Sequence, residues 1–163
     1  MKRTIMLMAT MSLTVLLAAG VALAAEIQCL DGTPCYGTNQ ADTLTGTALP
    51  DEIYGLGGPD VIYGLGGPDF ISGGSGGDEV RGGADGDFLV GGAGDDEIRG
   101  SYGADVIRAE NGDDTVFGGG GTDTIHVEGD QQYGFQDEVF CGGVLDQDVL
   151  FVDPNDILHN CLL

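Results

Sequence analysis

The sequence GGSGGDEVR GGADGDFLV GGAGDDEIR, residues 73–99, contains one nine-residue pattern three times in succession. Each copy begins with two glycines, has aspartate in sixth place and carries an aliphatic residue in eighth place. Followed outward in both directions, the aspartate recurs every nine residues without insertion or deletion, at Asp42, Asp51, Asp60, Asp69, Asp78, Asp87, Asp96, Asp105, Asp114 and Asp123. The aliphatic residue stands two places later each time, at Leu44, Ile53, Ile62, Ile71, Val80, Leu89, Ile98, Ile107, Val116 and Ile125. A period this strict over residues 37–126 predicts a stack of one small unit repeated ten times.

The composition of each unit predicts a turn followed by a short strand. Glycine readily adopts the positive φ angles of tight turns, so the first six residues are expected to form a turn. The last three are expected to form a strand whose middle, aliphatic side chain points inward. The outer strand positions hold acids and threonines, but also Val61, Phe70, Phe88 and Val106, which we expect to pack along the sheet rather than form a ligand surface. The predicted fold class is all-β.

The first 24 residues have the features of a secretory signal peptide. Two basic residues precede an apolar stretch from Ile5 to Leu23, and residues 22–24 offer the small-x-small sequence of a cleavage site. An uncleaved membrane anchor is the alternative, although the stretch is short for a span. Without this segment, three basic residues stand against 27 acidic ones, a formal charge of −24. Such a polyanion repels nucleic acid and anionic membranes, so we expect neither as a partner and expect cations instead.

All four cysteines lie outside the repeat array, in the flanking segments 25–36 and 127–163. An even number of cysteines in an exported chain predicts disulfides. Of the three possible pairings we favour Cys29 with Cys35 and Cys141 with Cys161, because each closes a loop at one end of the array. A zinc site is the alternative, but no C-x-x-C sequence is present. The flanks are therefore expected to be an N-terminal cap and a disulfide-tied C-terminal cap.

Three repeats are complete to G-G-x-G-x-D, and those beginning at Gly55 and Gly64 carry the variant GLGGPD. The pattern resembles the RTX, or haemolysin-type calcium-binding, nonapeptide repeat, G-G-x-G-x-D-x-U-x with U aliphatic. The departures are concentrated in the first two repeats, GTNQAD and GTALPD, and in the ninth, where Ala109-Glu110 replaces the glycine pair. The cation sites of these three repeats are the least supported by the pattern.

The resemblance implies a parallel β-roll, or β-solenoid, in which two nonapeptides make one turn and calcium ions lie between turns stacked on the same side. Each aspartate would share an ion with the aspartate eighteen residues later, from Asp42 with Asp60 to Asp105 with Asp123. The implied metal ligands are the ten aspartates of the ladder, which would hold at most about eight ions. Independently of the resemblance, carboxylates and turn carbonyls are hard oxygen ligands that suit Ca²⁺ better than Mg²⁺ or zinc.

The aspartate ladder also predicts that order depends on the cation. Stacked strands place neighbouring carboxylates ~5 Å apart. Two unit charges at that distance repel by ~0.8 kcal/mol in water and ~3 kcal/mol at an effective dielectric constant near 20. Ten aliphatic residues form a thin core against this repulsion and against the conformational entropy of a glycine-rich chain. We therefore expect the metal-free array to be largely unfolded and calcium binding to supply folding free energy.

No catalytic constellation is apparent. The letters of the G-x-S-x-G nucleophile motif occur at residues 73–77, but that motif needs a strand before it and a helix after it. The two histidines, His126 and His159, lack partners of a catalytic type. The expected function is that of a secreted, bacterial calcium-binding protein with a structural or interaction role and no catalysis. The alternative is a calcium-dependent adhesin or surface component that binds extracellular polysaccharide or another surface protein.

Overall fold

The computed structural model describes residues 24–127, 135–142 and 147–161. These residues form fifteen strands: β1 Glu26–Gln28, β2 Cys35–Tyr36, β3 Thr43–Thr45, β4 Glu52–Gly57, β5 Val61–Gly66, β6 Phe70–Ser75, β7 Glu79–Ala84, β8 Phe88–Ala93, β9 Glu97–Tyr102, β10 Val106–Asn111, β11 Thr115–Gly120, β12 Thr124–His126, β13 Glu138–Phe140, β14 Val149–Phe151 and β15 Ile157–His159. The predicted signal peptide lies, except for its last residue, outside the described residues. In the described ranges no helix is long and apolar enough to span a membrane.

The strands form two parallel sheets, one from the odd-numbered strands and one from the even-numbered strands. Each strand pairs with the strand two places along the chain, so that Ile53 of β4 lies beside Ile71 of β6, and Ile62 of β5 beside Val80 of β7. Paired residues within the array are eighteen positions apart, so one turn of the coil contains two nonapeptides. The chain is a parallel β-roll of about seven turns, which confirms the predicted fold class.

The central strands are longer than predicted. Strands β4 to β11 each contain six residues, whereas the pattern predicted three. Pairing skips the first residue of the next repeat and resumes at the two that follow, so that Leu56 lies beside Gly74 and Gly57 beside Ser75. Leu56 has a φ of 80°, a left-handed conformation that glycine adopts most easily. The glycine-rich segment therefore extends the sheets as well as forming the turns.

The core lies between the two sheets and is built from the inward aliphatic residue of each repeat. All ten predicted inward residues have an exposed fraction of 0%. Val127 and Val139 extend this core beyond the array and are equally buried. Full burial of a Val, Leu or Ile side chain contributes about 1.5–3 kcal/mol, so the column supplies most of the apolar stabilisation of the roll.

Both ends of the roll carry a disulfide. Cys29 pairs with Cys35 and Cys141 pairs with Cys161, which confirms the favoured pairing. At the C-terminal end the strands continue after the nine-residue period breaks, because β13 pairs with β11 and β15 pairs with β13. A turn at residues 153–156 lies between β14 and β15, and in it the Asp153 N–H donates to the carboxylate of Asp156. The segment after His126 thus adds strands to both sheets.

The outer faces of the sheets carry columns of stacked rings. On the even-numbered sheet Tyr36 stacks on Tyr54 and Phe70 stacks on Phe88, with ring centroids 5.1 and 5.5 Å apart. On the odd-numbered sheet the Arg99 guanidinium lies 4.1 Å from the ring centre of Phe117. Stacked neighbours cover the faces of each other's rings. These contacts support the prediction that the outward aromatic residues pack along the sheet.

Candidate metal centre

The ten aspartates of the ladder lie in two rows, one along each edge of the roll. Each aspartate stands one position before a strand, so successive repeats place it alternately at the two edges. One row contains Asp42, Asp60, Asp78, Asp96 and Asp114, and the other contains Asp51, Asp69, Asp87, Asp105 and Asp123. All ten are buried, with exposed fractions between 0% and 7%. Rows of buried carboxylates require compensation for the loss of water.

Backbone hydrogen bonds join each aspartate to the next one in its row. The N–H of Asp60 donates to Oδ1 of Asp78 at 2.8 Å, and the N–H of Asp87 donates to Oδ1 of Asp105 at 2.8 Å. All eight pairs that lie eighteen residues apart make this bond, at 2.8 or 2.9 Å. The structure therefore brings together the pairs that the sequence predicted as neighbours. This hydrogen bond occupies Oδ1 of the later aspartate in each pair.

The second carboxylate oxygen is different. In six aspartates Oδ2 is buried and accepts no hydrogen bond in the structure. These aspartates are Asp60, Asp69, Asp78, Asp87, Asp96 and Asp105. An unpaired buried oxygen of an ionised carboxylate is costly, since burial removes the water that would stabilise its charge. The six oxygens are the strongest sign that these carboxylates need a positive partner.

A glycine lies beside each of these oxygens and allows it to approach the backbone closely. A Cβ atom placed on Gly91 would lie 2.5 Å from Oδ2 of Asp96 and 2.9 Å from the carbonyl oxygen of Ala109. All six aspartates have a corresponding glycine five residues earlier, and each such Cβ position lies 3.0 Å or less from both oxygens. Carboxylate and carbonyl oxygens from different turns therefore converge on one small space. Ca²⁺ prefers carboxylate and carbonyl oxygens in flexible geometry, so the donor set fits this ion.

Backbone oxygens must contribute to any such site. Among the residues that the structure describes, no three side chains of Asp, Glu, His or Cys form a group that would hold a metal ion. A cation at the ladder would therefore combine carboxylates with carbonyl oxygens of the glycine-rich turns. An all-oxygen donor set of this kind suits a hard cation and does not suit zinc.

Burial shifts the titration of these carboxylates. Loss of water is the main cause, and it raises the pKa of Asp60 and Asp69 to about 6, that of Asp87 to about 7 and that of Asp96 to about 8. The backbone N–H from the preceding aspartate lowers the pKa in part, and the neighbouring carboxylates raise it again. Without a cation, the folded roll therefore favours a protonated Asp96 near neutral pH, whereas Asp60 and Asp69 become protonated in slightly acidic solution.

The hydrogen-bonded rows extend past the predicted ten aspartates. Oδ1 of Asp137 accepts the N–H of Asp114 at 2.8 Å, and Oδ1 of Asp148 accepts the N–H of Asp123 at 3.0 Å. Asp137 is fully buried. The spacing to these residues is 23 and 25 positions, so a search for a nine-residue period misses them. The sequence signal that could identify these residues is an aspartate directly before a short alternating segment, as in Asp137-Glu-Val-Phe.

One edge of the roll also has an acidic outer surface. Asp95 and Asp113 lie beside the buried row and line an open groove together with Glu79 and Glu97. The N–H of Asp113 donates to Oδ1 of Asp95 at 3.0 Å, which spans the same eighteen residues as the ladder contact but runs in the opposite direction along the chain. These carboxylates are more exposed than the ladder and add negative charge to its outer side.

Comparison with known proteins agrees with the geometry. A family model described as the RTX calcium-binding nonapeptide repeat, in four copies, matches residues 36–71, 54–89 and 90–125. Together these matches span the array and more than half of the chain. No curated protein matches the chain.

Proposed function

The chain belongs to the RTX calcium-binding nonapeptide repeat family, and on that premise we propose that it is a secreted protein whose β-roll folds when calcium binds. Its repeats and its fold are those of a calcium-binding structural repeat protein. The ligands in this proposal are the buried aspartates of the two rows and the carbonyl oxygens of the glycine-rich turns. Pairing at eighteen residues sets an upper limit of about eight ions in the array.

The observation that carries the proposal is the set of six buried Oδ2 atoms without hydrogen-bond partners, each beside a glycine and close to a carbonyl oxygen of a neighbouring turn. A bound cation would pair these oxygens and cancel the repulsion along each row. Because the sites are assembled only when turns stack, ion binding and folding are coupled. Calcium thus acts as part of the fold.

A calcium titration of the purified chain tests this proposal. We expect far-UV circular dichroism of the metal-free chain at pH 7.5 to show disorder, and millimolar calcium to produce a β spectrum. Magnesium at the same concentration is the control ion, because it demands a stricter octahedral geometry and keeps its water. A chain that is equally ordered in excess chelator and in calcium would contradict the proposal.

The role of the ladder is tested with a matched pair of variants. Asp78→Asn neutralises a fully buried ladder carboxylate, and Asp31→Asn makes the same change at an exposed position in the N-terminal segment. We expect the calcium concentration at the folding midpoint to rise several-fold for Asp78→Asn and to stay unchanged for Asp31→Asn. Equal midpoints would exclude Asp78 as a ligand.

We further propose a structural or interaction role without catalysis, exported through the N-terminal signal peptide. A second candidate is adhesion to an anionic polysaccharide through shared calcium ions, which the groove of Asp95, Asp113, Glu79 and Glu97 favours. The stacked rings do not favour sugar stacking, since neighbouring rings cover their faces. Pull-down of cell-wall polysaccharide by the chain in calcium and in chelator tests adhesion. Retention that does not depend on calcium, or no retention, would leave the structural role alone.

A further inference from the structure

The second residue of the nonapeptide has two backbone conformations in this chain. In the last eight repeats it has a positive φ, between 80° and 127°. These residues are Leu56, Leu65, Gly74, Gly83, Gly92, Ser101, Glu110 and Gly119. In the first two repeats the second residue is threonine, and neither Thr38 nor Thr47 has a positive φ. The array therefore divides into two conformational classes at Gly55.

The difference changes what the aspartate of the repeat contacts. The N–H of Thr38 donates to Oδ2 of Asp42 at 2.5 Å, and the Thr38 hydroxyl donates to the same oxygen at 2.8 Å. The N–H of Thr47 donates to Oδ2 of Asp51 at 2.6 Å. This is the oxygen that is buried without a hydrogen-bond partner in the six aspartates that follow. In the first two repeats, hydrogen bonds from threonine therefore compensate the charge on Oδ2 in the absence of a cation.

The bonded oxygens are also drawn away from the glycine. The Cβ position of Gly37 lies 3.1 Å from Oδ2 of Asp42, and that of Gly46 lies 2.8 Å from Oδ2 of Asp51. In the next six repeats the corresponding distance is 2.5 Å or less. The carboxylate of Asp42 therefore approaches its glycine less closely than the carboxylates of the next six repeats do.

Threonine is the physical cause of the change. A β-branched residue is a genuine outlier in the left-handed region, because its second γ atom crowds the backbone. Leucine, serine and glutamate tolerate the region at a cost, and glycine adopts it freely. Thr38 and Thr47 therefore hold the backbone in the conformation that points the N–H at the carboxylate.

We infer that Asp42 is a cation-independent end cap held by Thr38, that Thr47 closes Asp51 in part, and that the full calcium sites begin at Asp60 and Asp69. At Asp42 the closure is complete, since Oδ1 accepts the N–H of Ala25 at 2.9 Å. At Asp51 the Oδ1 atom has no such donor, so its closure is partial. The N-terminal end of the roll is thus finished by hydrogen bonds, and the ion count falls below eight.

This inference rests on the proposed function, and a stoichiometry measurement separates the two. Calcium bound per chain is determined by elemental analysis after equilibrium dialysis of the wild type, Thr38→Gly, Thr47→Gly and Leu56→Gly. Glycine at position 38 or 47 permits the left-handed conformation, so we expect each of these variants to bind one more ion. Leu56→Gly makes a change to glycine at the same repeat position, where the backbone is already left-handed, so its ion count is expected to equal that of the wild type.

A second pair of variants covers the case in which the glycine variants do not fold. Asp42→Asn is expected to leave the ion count of the wild type unchanged, whereas Asp78→Asn in the same row lowers it by at least one. An equal loss in Asp42→Asn and Asp78→Asn would overturn the inference while leaving the proposed function intact. So would an unchanged ion count in folded Thr38→Gly and Thr47→Gly. A wild-type chain that binds no calcium would instead refute the proposed function itself.

Discussion

Gly91 shows how a single residue makes room in the ladder. Its φ is not positive, so glycine is not required there by backbone conformation. It is required by space, since a Cβ would lie 2.5 Å from Oδ2 of Asp96 and 2.9 Å from Cδ1 of Ile98. Both neighbours are buried, and neither can move freely in a packed roll. The first glycine of the nonapeptide is therefore required by the close approach of the carboxylate, and the second by its positive φ.

Replacement of Gly91 by alanine should remove one ion position and weaken the roll. The added methyl group competes for the space between Oδ2 of Asp96 and the carbonyl of Ala109. We expect the calcium-loaded chain to lose at least one bound ion and about 1–3 kcal/mol of unfolding free energy. Elemental analysis and urea denaturation in calcium provide the two measurements.

Gly66→Ala is the matched control for this prediction. The Cβ position of Gly66 has only the Cβ of Ala84 nearby, at 3.9 Å, and its φ is not positive. This variant should keep the ion count of the wild type and change its stability by less than about 0.5 kcal/mol. If Gly91→Ala behaved like Gly66→Ala, the space beside Gly91 would have no role in ion binding.

Residues whose role depends on the period were predictable, and residues whose role depends on contacts were not. The ten aspartates and their partners eighteen residues away follow from the nine-residue repeat. The closure of Asp42 by Thr38 depends on a backbone angle, which the letters GTNQAD do not reveal. Asp137 was missed because the chain between it and Asp114 is longer than one coil of the array, although the stacking is the same.

At the scale of elements, the length of the strands is where the prediction from sequence and the structure differ most. A short alternating segment predicts a short strand, yet hydrogen bonding continues through the glycine-rich part of β4 to β11. Parallel stacking explains the difference, since each turn finds an identical backbone above and below it. A pattern in one repeat cannot show this, because the pairing partner lies in another turn.

Each strand contributes one inward side chain. Shortening one of these side chains in the middle of the roll should therefore lower the unfolding free energy strongly. Ile71 of β6 is fully buried, with Ile53 and Leu89 beside it in the sheet. We expect Ile71→Ala to lower the unfolding free energy of the calcium-loaded chain by about 2–5 kcal/mol. Ile157→Ala in the final strand removes the same atoms from a side chain that is 38% exposed, and should cost less than about 1 kcal/mol. Urea denaturation in calcium compares the two variants, and equal losses would show that the mid-stack column does not carry the stability.

At the scale of the whole molecule, the fold buries a large part of its negative charge away from water. The chain has a formal net charge of −22, and its ladder aspartates are buried in two rows rather than spread over the surface. A roll of this kind has two routes to neutral rows, which are cation binding and protonation. The first route gives order at neutral pH in calcium. The second predicts order in acid without any metal.

The direction of the acid effect follows from the raised pKa values. An unfolded aspartate has a pKa of about 3.9, whereas folding raises the pKa to about 6 for Asp60 and Asp69 and to about 8 for Asp96. Well below about pH 4 these groups are protonated in both states, so their ionisation does not oppose folding. As the pH rises from about 4 to about 8, the unfolded chain releases protons that the folded chain retains, and the metal-free roll loses stability across this window.

We therefore expect metal-free chain at pH 4 to show more β structure in far-UV circular dichroism than the same chain at pH 7.5. The metal must be removed by dialysis and checked by elemental analysis, since chelators bind calcium poorly in acid. Asp96→Asn is the informative variant, because a neutral side chain at this position removes part of the pH dependence and should narrow the difference between the two spectra. If the metal-free chain were no more ordered at pH 4 than at pH 7.5, charge burial along the rows would not be what keeps it unfolded. The thin apolar column and the entropy of the glycines would then be the dominant cause, and calcium would act by linking turns rather than by neutralising them.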